Sequence, residues 1–135
     1  MSESTLEFSL TFGVPANILY KAMTDQMEWC KITRGPATFE AKEGGAFSFF
    51  GGKISGTNVS LVKDEKIVQK WKMDDWSQDS EVTFVFDDNE DEVELFITHK
   101  NLPSSMHPNQ MKGGWMQMIL EPLSGLCGFP ITERN

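Results

Sequence analysis

Basic residues are scarce in this chain: 12 lysines and arginines stand against 20 aspartates and glutamates, for a formal charge of -8. Phosphate backbones are bound mainly by clustered Lys and Arg, so no nucleic-acid partner is expected. Cysteine is nearly absent, and Cys30 and Cys127 lie too far apart for the close spacing of zinc sites or redox motifs. Both are expected to be reduced, buried thiols. No apolar run approaches the ~18 residues that span a bilayer, and the N-terminus lacks the basic and apolar regions of a signal peptide. A cytoplasmic setting with no membrane association is the expectation.

Signatures of chemistry are missing as well. The chain has no nucleophile elbow, phosphate loop or zinc helix. Its two histidines, His99 and His107, have no carboxylate or thiol partner at diagnostic spacing. Catalysis is therefore not expected, and no metal or cofactor is. Internal repeats, linkers and low-complexity segments are absent too.

What is present is enough for one core. With 135 residues, 39% of them hydrophobic and 24% charged, the chain has the composition of a globular protein, and residues 1–135 are expected to form one domain. Leu6, Phe8, Leu10 and Phe12 alternate with polar residues, the period of a strand with one buried face. Val14-Pro15 ends that strand, and Ile18, Leu19, Ala22 and Met23 recur at helical spacing. Thr24-Asp25 can cap a second short helix, with Glu28, three residues after Asp25, in the capping-box position and Gly35-Pro36 as its stop.

From there the signals are β, over residues 38–41, 46–50, 54–62, 66–73, 81–86 and 93–100. Gly44-Gly45 and Gly51-Gly52 offer the positive backbone angles of tight turns, and Lys63-Asp64-Glu65 makes a short polar connection. Asp87, Asp88, Glu90, Asp91, Glu92 and Glu94 crowd one segment, as in a solvated hairpin turn. Val82, Phe84 and Phe86 share a face, as do Val93, Leu95 and Ile97, which leaves an apolar surface to cover. The cover is the segment after Pro108, where Met111, Trp115, Met118, Ile119, Pro122, Leu123 and Cys127 fall on one stripe. Pro122 is expected to kink or interrupt this long helix near its end. The fold class is thus α+β: a curved antiparallel sheet wrapped around a long C-terminal helix, with two short helices after the first strand.

That order of elements resembles the helix-grip fold of the birch-pollen-allergen and steroidogenic lipid-transfer (START-like) superfamily. Within it, Val14-Pro15-Ala16, Leu19-Tyr20, Thr24-Asp25, Gly44-Gly45-Ala46-Phe47, Phe50-Gly51-Gly52, Ile54-Ser55-Gly56, Ile67 to Trp71, Trp76, Leu102-Pro103 and Gly114-Trp115 are similar to the C-terminal domain of the activator of heat-shock protein 90 ATPase. The resemblance implies a co-chaperone that binds heat-shock protein 90 and stimulates its ATP turnover without doing chemistry itself. The superfamily implies an alternative, a small hydrophobic ligand held between sheet and helix.

Site residues divide along the same lines. Trp76 lies among Asp74, Asp75, Ser77 and Gln78, so it is either a surface anchor or a cap on its loop. With Lys70 and Lys72 it forms the expected partner-binding set. Phe47, Phe49, Trp71, Phe84 and Trp115 are the residues expected to line a cavity if one is open, or to fill the core if not. His99, in phase with Val93, Leu95 and Ile97, is expected inward and hydrogen-bonded, and His107 is expected to cap a helix. The methionines of the last helix suit both core filling and an adaptable surface.

Overall fold

The computed structural model describes residues 4–134, with the side chains of Leu126, Cys127 and Glu133 left aside. Eight antiparallel strands form one sheet: β1 (Ser4–Phe12), β2 (Thr38–Phe39), β3 (Ala46–Phe49), β4 (Ile54–Val62), β5 (Lys66–Met73), β6 (Ser80–Asn89), β7 (Glu92–Leu102) and β8 (Ile131–Arg134). Their spatial order is β2-β3-β4-β5-β6-β7-β1-β8, a meander of successive hairpins closed by the first and last strands. The alternating residues of β1, β5, β6 and β7 turn their apolar members to one buried inner face. Strand β8 has no counterpart in the periodicity reading, because Ile131 to Arg134 is too short and polar to show alternation; it forms by pairing with Leu10 to Phe12.

Two helices follow β1, α1 (Ala16–Met23) and α2 (Gln26–Thr33). Pro15 occupies the N-cap of α1 and has no side chain to cap it. The carboxylate of Asp88, from the acidic β6–β7 hairpin, instead accepts the Ala16 N–H at 3.1 Å. Asp25 caps α2 as expected, accepting from the Met27 N–H at 2.8 Å, while Glu28 pairs with Lys31 at 2.9 Å. The left-handed residue that ends α2 is Arg34 (φ 57), one position before the expected Gly35.

The C-terminal helix is segmented: α3 (Pro108–Trp115), a π-helical turn over Met116–Leu120, and α4 (Glu121–Cys127). The break lies one turn before Pro122, not at it. Pro122 has no N–H to offer and its ring crowds the carbonyl four residues earlier; a wider turn, in which the Glu121 N–H reaches back to the Met116 carbonyl, gives that carbonyl room. Met111, Trp115, Ile119 and Leu123 are buried against the sheet as the stripe requires, Leu120 joins them, and Met118 and Pro122 are half-buried. The expected burial of Cys127 lies outside the described side chains, and Cys30 is half-buried.

Turn glycines divide by cause. Gly51 (φ 67) and Gly52 (φ 93) supply positive angles, as expected. Gly45 does not; it is needed because a Cβ there would press on the Glu40 carbonyl oxygen. Gly56 sits between Phe47 and Trp71 in the cross-strand register, where a Cβ would collide with the Lys70 carbonyl and the Phe47 ring. That missing side chain lets two large rings and the strand backbone close up beside the bulge between Asn58 and Ser60.

Candidate functional site

Three tryptophans and a histidine converge where β5, the β5–β6 turn, β7 and α3 meet. Trp71 projects inward from β5, His99 from β7 and Trp115 from the end of α3, with Trp76 folded in from the turn. The Trp71 ring lies 5.0 Å from His99, 5.3 Å from Trp115 and 5.6 Å from Trp76. Ser80, at the start of β6, completes the group.

The hydrogen bonds among them run one way. The indole N–H of Trp115 can only donate, and it lies 3.1 Å from His99 Nδ1, so that nitrogen accepts. The ring proton is then on Nε2, which donates to Ser80 Oγ at 2.7 Å. The Ser80 hydroxyl donates in turn to the Trp71 carbonyl. His99 is 0% exposed, and burial pushes its pKa from 6.5 down to about 3, which keeps the ring neutral. A serine nucleophile needs a histidine nitrogen that accepts its proton; here Nε2 donates to Ser80, and both residues are sealed from solvent. The Ser80–His99 pair fastens β6 to β7, and the Trp115 bond to the same ring ties the helix to both. The pair's members lie 19 positions apart on neighbouring strands, so spacing alone did not reveal it.

The expected cavity residues are core residues. Phe47 and Phe49 stack at 5.2 Å, Phe49 stacks on Trp29 at 4.3 Å, and Phe84 meets Trp115 edge-on at 5.7 Å. Between Ile54, Trp71, Met73, Met111, Trp115 and Met118 remains a void of about 10 Å³, the size of a single water. Of the two readings left open for these five residues, their burial and ring contacts are those of core filling.

The partner-binding set divides. Trp76 is only 6% exposed and packs on Trp71 and His99, which corrects its reading as a surface anchor in favour of a cap on its loop. Lys70 is exposed and Lys72 half-buried, both on the outer face of the sheet. On that face the structure adds residues the sequence reading passed over: Val85 and Phe96, 40% and 41% exposed. Their signal was available, since both are apolar residues at outward positions of strands whose inward positions are already apolar. His107 is the expected cap, its Nδ1 accepting from Asn109 N–H at 3.1 Å while Gln110 answers the His107 N–H at 3.3 Å.

The family described as "Activator of Hsp90 ATPase homolog 1-like protein" matches residues 13–128. The chain belongs to this family. It is 32% identical over 132 residues to the mouse protein named "Activator of 90 kDa heat shock protein ATPase homolog 2", covering 96% of this chain and 39% of the relative. It is 32% identical over 103 residues to the Saccharomyces cerevisiae protein named "Hsp90 co-chaperone AHA1", covering 69% of this chain and 29% of that one. The chain thus spans well under half the length of these curated relatives. Among solved structures, the crystal structure of an HSP90 activator from Plasmodium falciparum superimposes with a TM-score of 0.87 at 33% identity, covering 95% of this chain and 99% of that one. The helix-grip, START-like architecture of this family member is that of the solved activator. The named relatives are called activators or co-chaperones, not catalysts.

Proposed function

We propose that this chain is a co-chaperone domain, acting as one unit over residues 1–135, that binds heat-shock protein 90 and stimulates its ATP turnover. The observation that carries the reading is the near-complete overlap with the Plasmodium falciparum HSP90 activator, which spans both chains and not a shared fragment. Close packing under the C-terminal helix supports it further, since a void of about 10 Å³ there is far below the volume of a small-molecule site. Lys70 and Lys72 are the proposed contacts, with Trp76 supporting their strand end from within. The setting is cytoplasmic, in keeping with Cys30 as a free thiol.

Stimulation without chemistry requires differential affinity. The domain accelerates turnover only by binding the catalytically closed arrangement of the chaperone more tightly than the open one. A steady-state ATPase titration of purified heat-shock protein 90 is the test: the rate rises and saturates with added chain. No binding and no rise at micromolar chain would end this reading.

A further inference from the structure

The outer face of the sheet carries no helix among the described residues, since α1 packs through Tyr20 on Phe86, α2 through Trp29 on Phe49, and α3 through Trp115 on Phe84, all on the inner side. Its outward residues fall into cross-strand rows. At one end Lys70, Glu81 and Lys100 stand side by side on β5, β6 and β7, with Lys72 beyond them. The next rows are Val68–Thr83–Thr98 and Lys66–Val85–Phe96. At the far end Asp87, Glu94 and Thr11 line up, continuous with the acidic hairpin. Glu81 to Asp87 is six residues along β6, or about 20 Å at roughly 3.3 Å per residue.

This distribution runs against the chain's overall charge of -8. Lys70, Lys72 and Lys100 form no ion pair among the described residues, in which the pairs are Lys31–Glu28 and Arg134–Glu121. The two ends are separated by more than a Debye length of ~8 Å, so the lysine end, net positive although Glu81 stands between Lys70 and Lys100, acts on an approaching surface separately from the acidic end. An extended anionic polymer or lipid sheet laid on this face would meet the acidic end as well as the lysines. A protein surface with a local acidic patch beside an apolar strip meets only what complements it.

We propose that this outer face is the docking surface for the chaperone, with Lys70, Lys72 and Lys100 seated on an acidic patch of the partner, Val85 and Phe96 on an adjoining apolar strip, and the acidic end fixing a single orientation. The proposal rests on the co-chaperone reading and adds to it the face, the residues Lys100, Val85 and Phe96, and the polarity.

The experiment compares the chain with two charge-matched variants, Lys70→Gln/Lys72→Gln/Lys100→Gln on the outer face and Lys21→Gln/Lys31→Gln/Lys42→Gln away from it. Binding to purified heat-shock protein 90 is measured by calorimetry at two salt concentrations, with the ATPase rate alongside. The outer-face variant is expected to bind at least tenfold more weakly, with a flatter salt dependence, while the control stays within twofold of the parent. Equal affinity of parent and outer-face variant overturns the docking face and leaves the co-chaperone reading standing. Equal losses in both variants also overturn it, because net charge then explains the effect. A parent that neither binds nor stimulates removes the co-chaperone reading and this proposal with it. If sedimentation shows the chain alone dimerising through this face, and the outer-face variant monomeric, a second copy is the occupant and the proposal is wrong.

Discussion

The aromatic cluster under α2 and the one under the C-terminal helix bury comparable rings in dissimilar ways. In the first, Trp29, Phe49, Phe47 and Phe39 stack nearly parallel, with interplanar angles of 18° to 27°. Their one polar atom, the Trp29 Nε1–H, leaves the stack to donate to the Met23 carbonyl at 3.0 Å. In the second, Trp71 and Trp115 meet His99 at 83° and 71°, and hydrogen bonds thread the group. The rings of the first cluster hold one another by burial and stacking, so their fit can relax; hydrogen bonds hold those of the second to one another, so their geometry is specified.

The largest test of that contrast is Trp115→Ala, which removes a buried ring and the N–H that fixes the His99 tautomer. It should cost about 3–5 kcal/mol in a denaturant titration, and a loss near zero would place the helix outside the core. Next is pH. The folded pKa of His99 lies at about 3, below the 6.5 of the unfolded chain, so the unfolded state binds the extra proton between those values. The His99 contribution is complete above pH 6.5 and declines by about 1.4 kcal/mol per pH unit as pH falls toward 3. Urea titrations of the parent and His99→Gln at pH 7 and pH 4.5 should show the shallower decline in the variant; parallel declines would mean the histidine is not buried neutral.

Ser80→Ala comes third, leaving the His99 Nε2–H and the Trp71 carbonyl unpaired at a cost of about 1–3 kcal/mol. The smallest effect is expected in the stacked cluster: Phe39→Met keeps apolar volume and should cost under about 1.5 kcal/mol, read from the same titration. A penalty there exceeding that of Ser80→Ala would abolish the distinction between the two clusters.

Legibility in the sequence followed local periodicity. The bounds of β4 and β5 agree with the alternation reading, and Leu6 to Phe12 announced β1, because each strand carries its own inward pattern. What required a neighbour was hidden. Strand β8 exists only through its pairing with β1, the Ser80–His99 contact bridges two strands, and Trp76 looks exposed beside two aspartates until the turn folds it onto Trp71. Filling of the interior was hidden for the same reason: side-chain identities show which rings face inward, and only their mutual packing shows how closely they meet.

The placement of β1 between β7 and β8 has a consequence in time. Strands β2 to β7 are joined by hairpins and can pair as neighbours along the chain, whereas Phe8 pairs with Ile97 and Thr11 with Glu133. During synthesis β1 has no partner until β7 emerges, Phe12 pairing with Val93 about 80 residues on, and closing so long a loop is the slow kind of step. Until then the row Leu6, Phe8, Leu10 and Phe12 stays uncovered, which makes β1 the strand of this sheet most in need of protection while the domain is being made.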